Sequence, residues 1–399
     1  MNRLIVLCNA VDDVTRSLRR ITTDSPAATV KVLGLARAIR TAGVRPVVLS
    51  LGRGRQDGSG QWHGWHVVRA RGAAIAYAPF AHVPLLTYLL SLFAPALILV
   101  RLKRRSSGCT LVFYNRVPLY SITVLLARLM GMTVVLDLED APTHIGGRAI
   151  YDRVQRAVDR ALDRLAQRAL LACRDLGQST RAVPTLVYYG SVPDAAEPDP
   201  AIGRPVVALL GGTLEKATGA DLLVETVRRL REAGAPWTRE LSIAVTGKGP
   251  GLELLQAAAS DPRPPVIHCH GATSRQRYLE ILAGASVGLS LKLSQGPYAS
   301  TTFPSKVIEL AHAGKLVITT DVSDVRSVLG DDGAVYLRGD SADELARALE
   351  QTVRDRSLAA QVAARGRMAV MEKCAEQSVG GRLNEFLFPA GARRARTHG

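Results

Sequence analysis

The sequence predicts an α/β protein built from two Rossmann-like, doubly wound domains that face a central cleft. Three observations carry that reading. A chain of 399 residues exceeds one comfortable hydrophobic core and calls for two. Short aliphatic, β-branched runs alternate with longer amphipathic ones in both halves, the order that a parallel sheet with helical crossovers requires. Between the halves, "SVPDAAEPDPAIGRP" (191–205) concentrates Pro, Ala and acidic residues and reads as a linker. The expected organisation is an N-terminal domain over 1–190, the linker 191–205, a C-terminal domain over 206–388 and a basic tail over 389–399.

In the first half, residues 4–8, 46–51, 66–69, 110–114 and 133–138 read as strands, and 30–42 and 119–130 as helices. Residues 151–171 read as one long helix whose Arg and Asp side chains pair at i,i+4. In the second half, 206–210, 241–246, 266–268, 287–291 and 316–320 read as strands and 219–233 as a helix. The first of these strands runs into Gly211-Gly212 and the second into Gly247-Lys248-Gly249. Ligands of such sheets bind beyond the carboxyl ends of the strands, so these turns are where phosphates approach the backbone. Neither turn matches the dinucleotide fingerprint or a P-loop, and each alone also fits a plain tight turn.

One stretch joins a candidate anion site to a lone carboxylate: "STTFPSKVIELAHAGKLVITTD", residues 300–321. Pro304 suits the first turn of a helix, with Thr302 or Ser305 as cap, and Gly314 suits its end. Val307, Ile308, Leu310 and Ala311 then face the sheet. The unpaired N–H groups of the first turn and Lys306 form a positive pole for an anion. Glu309, one turn further in, is placed to accept hydrogen bonds from ribose hydroxyls. Chemistry alone also leaves open an ordinary αβ unit with a solvated glutamate.

The formal charge of +16 points to an anionic partner. Aromatic residues, at 5%, are too few for a base-stacking platform, which argues against single-stranded nucleic acid. Five scattered cysteines without metal-ligand spacing read as reduced residues of a cytosolic protein. The apolar run near the N-terminus is too short for a secretory leader and is followed by Asp12 and Asp13. From 72 to 100 no Asp, Glu, Lys or Arg occurs, and the run ends against "RLKRR" (101–105). It is nearly long enough to span a bilayer, but the strands before and after it belong to one sheet, and Pro84 and Pro95 interrupt it. The reading is a pair of apolar helices dipping into the headgroup region. Arg101, Lys103, Arg104 and Arg105 would then rest on anionic lipid at the inner face of the cell membrane. A buried helix with a solvated basic turn is the alternative.

The most polar strand-end loop of the first domain is "VVLDLEDAPTHIGGR", residues 134–148. Asp137, Glu139, Asp140 and His144 crowd that mouth, and Asn9 lies beside it. Glu139, Asp140 and His144 are the candidate catalytic residues, since such a group can orient or deprotonate an acceptor hydroxyl. A helix-capping role for Asp140 or Thr143 is the competing reading. His268 and His270 read as structural, because no third metal ligand accompanies them.

"FPSKVIELAHAGKLVITTD", with "ILAGASVGLSL" and "GGTLEKATGADLLVETVRRL" before it, resembles the donor-binding domain of GT-B glycosyltransferases. The likeness is to retaining enzymes of the family 4 (group 1) type that build bacterial exopolysaccharides and lipid-linked glycans. It covers 206–340 and is architectural over the first 190 residues. It implies a GT-B fold and transfer from a nucleotide sugar to a lipid-linked or polysaccharide-precursor acceptor, with retention at the anomeric carbon. The nucleotide sugar is a co-substrate, and no further cofactor, metal or nucleic acid is implied. In that family a glycine turn and a basic residue meet the diphosphate, and two glutamates eight positions apart meet sugar and ribose. Glu309 matches the second glutamate; the first falls on Thr301. The family's Arg and Lys after the first strand fall on Thr213 and Thr218, with Lys216 two positions from the latter. The donor set so implied is Gly211, Gly212, Lys216, Lys292, Thr301, Phe303, Ser305, Lys306 and Glu309. Charge on the departing diphosphate can be neutralised by lysines and backbone amides. Two alternatives stay open: an epimerase or phosphorylase of the same fold, and a non-catalytic basic protein binding membrane or nucleic acid. The apolar stretch weighs against a soluble epimerase, and no lysine stands in an evident aldimine setting for a phosphorylase.

Overall fold

The structure is a computed structural model that describes residues 2–21, 24–53, 62–70, 72–81, 83–104, 108–141, 149–194, 202–295 and 299–389. It divides into two compact units, Met1–Pro193 with Ala375–Gly399, and Asp194–Cys374.

The first unit contains, in chain order, β1 (Asn2–Cys8), α1 (Asp13–Leu18), α2 (Pro26–Thr41), β2 (Arg45–Ser50), β3 (His66–Ala70), β4 (Ala73–Tyr77) and α3 (Pro84–Arg104). It continues with β5 (Gly108–Tyr114), α4 (Ser121–Leu129), β6 (Thr133–Leu138), α5 (Ala149–Leu165), β7 (Arg168–Leu171) and β8 (Thr185–Val187). These strands form one sheet in the order β3-β4-β2-β1-β5-β6-β7-β8, parallel throughout except for β3, which runs against β4. Their aliphatic side chains, with those of α2, make the core.

Two expectations change here. The helix expected over 151–171 stops at Leu165. Ala169, Leu170 and Leu171 are instead buried as β7 between β6 and β8, because an apolar run that short fits a sheet better than an amphipathic surface helix. The apolar stretch 72–100 holds β4 and then the single helix α3, with Pro95 inside it, rather than a pair of helices. By length and composition Leu85–Arg104 passes for a membrane span. It connects β4 and β5, however, which lie in one sheet, so it is a crossover helix of that sheet.

The second unit contains β9 (Val206–Thr213), α6 (Ala220–Ala233), β10 (Leu241–Lys248), α7 (Leu252–Ala259), β11 (Val266–Gly271), α8 (Arg275–Gly284) and β12 (Val287–Ser290). It is completed by α9 (Lys306–His312), β13 (Leu316–Thr320), α10 (Val325–Leu329), β14 (Val335–Leu337), α11 (Ala342–Arg354) and α12 (Arg356–Cys374). The sheet order β11-β10-β9-β12-β13-β14 is the doubly wound order, all parallel. Its strand order reverses between β9 and β12, which is where such sheets receive ligands.

The last helix, α13 (Glu376–Leu387), was expected in the second domain and belongs to the first unit. Val379, Leu383 and Leu387 complete that unit's core, and Arg37 Nε meets Glu376 at 2.5 Å. Gly380 lies so close to α2 that a Cβ there would stand 2.2 Å from the Ala38 carbonyl oxygen. Cys8, Cys109, Cys173, Cys269 and Cys374 are all free thiols.

Candidate functional site

At the carboxyl ends of β9 and β10 the second unit has a tightly made glycine turn. Gly247 holds φ +145°, and a Cβ there would lie 1.8 Å from the Gly212 carbonyl oxygen, so that strand end has no room for a side chain at the crossing, while Gly212, at φ +116°, disfavours one through its backbone. The Tyr278 ring packs beside Gly211, and the Lys306 stem beside Gly212. Tyr278 comes from the first turn of α8, which opens at Ser274, whose hydroxyl accepts the Arg277 N–H. Lys306 opens α9, whose Val307, Ile308, Leu310 and Ala311 are buried against the sheet as their spacing predicts. That helix begins two residues later than Pro304, and no side chain caps it.

Glu309 is the centre of this arrangement. Its Oε1 accepts from Arg275 Nη1 at 2.5 Å, and its Oε2 accepts from Lys306 Nζ at 2.8 Å and from the Tyr278 hydroxyl at 3.0 Å. Lys306 Nζ also donates to the Tyr278 hydroxyl at 3.1 Å and stands 4.3 Å from the ring centroid; the Arg275 guanidinium lies 5.3 Å from the same centroid. Burial alone would raise the Glu309 carboxyl, but Lys306 and Arg275 outweigh it and hold it at about 2. The same pairing holds Lys306 above its ordinary value although burial pulls the other way. A carboxylate accepts about four hydrogen bonds. Three are filled here, which leaves Oε1 with room for one more donor.

The rest of the expected donor set is more scattered. Lys292 Nζ donates to the Thr302 carbonyl at 2.9 Å and so fixes the approach to α9. Asp340 holds the segment after β12 by accepting from Ser294 N and Oγ. Thr301 Oγ1 is buried and has no hydrogen-bond partner among the described residues. Phe303 is a core residue, Ser305 is exposed, and Lys216 is exposed on a short turn with no side-chain partner among the described residues. His268 and His270, read as structural, lie exposed on the edge strand β11. Arg275 and Tyr278 went unread in the sequence. The available signal was a cation and an aromatic three residues apart, opening a helix directly after a strand.

In the first unit, the mouth of the sheet is formed by the ends of β1, β5 and β6. Asp137 is 1% exposed; burial, then the neighbouring Glu139, pushes its carboxyl well above the carboxylate range, while Lys31 pulls the other way. Glu139 forms an ion pair with Lys31 of α2, and Lys31 lies 5.3 Å from the centre of the Tyr188 ring. Asp140 is exposed, and His144 lies outside the described residues. Asn9 ties the loops after β1 and β2 together, donating to the Arg53 carbonyl at 2.7 Å and accepting from Arg53 N at 3.0 Å. Lys31 was also unread, although a lysine within the apolar face of a helix is a visible anomaly. Arg101 and Arg104 are exposed at the end of α3 and Lys103 is half-buried; Arg105 lies outside the described residues.

The fold is that of the GT-B glycosyltransferases. Residues 204–355 match the family model described as Glycosyl transferases group 1. No curated protein matches the chain in sequence. Similar solved structures include a sucrose-phosphate synthase from Thermosynechococcus elongatus, at 13% identity and a TM-score of 0.65 over 98% of this chain and 99% of that one. Anabaena HepE in complex with UDP and glucose is similar at 13% identity and a TM-score of 0.65, over 96% and 99% of the two chains. The trehalose-6-phosphate synthase OtsA is similar at 12% identity and a TM-score of 0.66, over 97% and 99%.

Proposed function

We propose that the chain transfers a sugar from a nucleotide-sugar donor to a lipid-linked or polysaccharide-precursor acceptor at the cytoplasmic membrane face, with retention of anomeric configuration. The observation that carries the donor half is the ion cluster of Arg275, Lys306 and Glu309 against the Gly211-Gly212 turn. Glu309 receives one ribose hydroxyl there, and Thr301, whose hydroxyl has no partner among the described residues, supplies a small polar contact where related enzymes carry a carboxylate. HepE was solved in complex with UDP and glucose, which supports a nucleotide-sugar donor here.

The membrane half rests on α3. Leu85, Leu89, Phe93 and Leu97 recur at i,i+4 and are 43–70% exposed, a stripe that leads to the exposed Arg101 and Arg104. An apolar stripe ending in cations is what a helix lying in an anionic lipid interface presents. On the acceptor side, Asp140 is the exposed carboxylate of the loop and orients the acceptor hydroxyl, whose proton passes to the departing phosphate. The similarity to sucrose- and trehalose-phosphate synthases suggests a second reading, a soluble sugar phosphate as acceptor. Incubation with labelled nucleotide sugars and either membrane lipid extracts or sugar phosphates separates the two by where the label goes. NMR of the product tests retention, and a β-linked product from an α-linked donor would overturn it.

A further inference from the structure

The ion cluster of the second unit does not balance. Two cations, Arg275 and Lys306, meet one carboxylate, Glu309, and neither arginine nor lysine sheds its proton near neutral pH. Both cations keep donors in reserve. Arg275 holds Glu309 through Nη1 alone, and its Nε and Nη2 have no partner among the described residues. Lys306 uses two of its three protons, on Glu309 and the Tyr278 hydroxyl. The two side chains are 30% and 33% exposed, so an anion reaches them without displacing protein groups. Beside them lies the side-chain-free backbone of Gly211 and Gly212. By contrast, Lys292 is directed at the Thr302 carbonyl, and Lys216 stands exposed with no side-chain partner among the described residues.

We propose that Arg275 and Lys306 together bind the donor diphosphate, with Glu309 as the counter-ion that positions both. The inference rests on the donor reading above and assigns the phosphate subsite within it. The guanidinium fork suits two phosphate oxygens at once while Nη1 stays on Glu309, and the ammonium serves as a point charge. Tyr278, whose hydroxyl both accepts from Lys306 and donates to Glu309, keeps the cations apart and oriented.

Calorimetric titration of the full-length protein with UDP, GDP, ADP and dTDP, each against its own nucleoside, tests this. The wild type should prefer the diphosphate of one base over the corresponding nucleoside. Arg275→Gln should weaken that diphosphate by about tenfold to a hundredfold while leaving the nucleoside within about twofold, as loss of a charge-assisted contact predicts. Arg275→Lys, which keeps the pair with Glu309 and loses the fork, should fall between the two and carries the test if the glutamine variant does not fold. An equal fall for diphosphate and nucleoside, or an undiminished preference for the diphosphate in both variants, overturns the assignment and leaves the donor reading standing. Failure of the wild type to bind any nucleoside diphosphate removes the donor reading itself, and the phosphate subsite with it.

Discussion

Replacing Glu309 by Gln is the perturbation whose size the structure fixes most directly. The carboxyl titrates at about 2 instead of its ordinary 4.5. Burial works against that shift, and Lys306 and Arg275 impose it. A difference of about 2.5 in pKa corresponds to at most about 3 kcal/mol of folded-state stability. The partners are about a third exposed, and screening by solvent reduces the expected value to about 1.5–3 kcal/mol. The sign follows from the depressed pKa: the stabilisation is complete above pH 4.5 and is lost as the pH falls through about 2.

Trp237 packs on the core of the second unit, whereas Trp62 and Trp65 are exposed in the first. With Trp62 and Trp65 replaced by Phe, tryptophan fluorescence in urea reports the second unit alone. The gap between the parent and Glu309→Gln should be about 1.5–3 kcal/mol at pH 7, roughly half that at pH 3, and small at pH 2. A gap that does not change with pH would refute the reasoning, because it would show that Glu309 contributes through packing and not through its charge.

Gly247→Ala should destabilise the second unit by about 3 kcal/mol, since it combines a strained φ with overlap on the Gly212 carbonyl; Gly234→Ala, at φ +59° with open space around it, should cost about 1 kcal/mol in the same urea titration. Asp137→Asn should leave the protein about as stable at pH 3 and make it more stable than wild type at pH 8. A raised carboxyl pKa destabilises the fold as pH rises above the ordinary value, and thermal unfolding at the two pH values checks the sign. Replacing Arg101, Lys103, Arg104 and Arg105 by Gln should release the protein from anionic vesicles at about 1 kcal/mol per charge. Replacing Leu85, Leu89 and Phe93 by Ser should release it from vesicles of any charge, and sedimentation indifferent to both sets would sink the membrane reading.

The repeating part of this fold was legible because it follows from local pattern. Aliphatic runs such as 133–138 and 316–320 are too short and too apolar to be surface helices, and the structure makes them β6 and β13. Where composition is ambiguous, tertiary context decided. "RALLACRDL" extends a helical pattern on paper, yet Ala169 to Leu171 fill the space between two strands. The return of α13 to the first unit was not legible at all. It depends on a glycine, Gly380, fitting against one carbonyl of α2, which no periodicity encodes. The site divides in the same way. Gly211, Gly212, Lys306 and Glu309 were readable from one stretch and one turn, whereas Arg275 and Tyr278 reach Glu309 from 31 to 34 residues away by way of a different helix.

Each unit carries a charge cluster near the carboxyl ends of its strands, and the two are unbalanced in opposite directions. In the first, Asp137 and Glu139 share one lysine. The surplus there is a carboxylate, and burial that raises its pKa, as it does for Asp137, lets such a group take up a proton and close the cluster without a ligand. In the second, Arg275 and Lys306 share one glutamate. The surplus there is a cation that keeps its proton near neutral pH, so only an anion can neutralise it. The exposure of the groups follows the same logic. Asp137, which needs nothing from outside, is sealed at 1%, while Arg275 and Lys306 remain about a third open to solvent. A site meant to receive a charged ligand has to keep its cations partly hydrated in the ligand's absence, because fully buried and unpaired they would cost several kcal/mol each. The pairing with Glu309 answers that cost without closing the site: it holds both cations in place and leaves their remaining donors for the diphosphate.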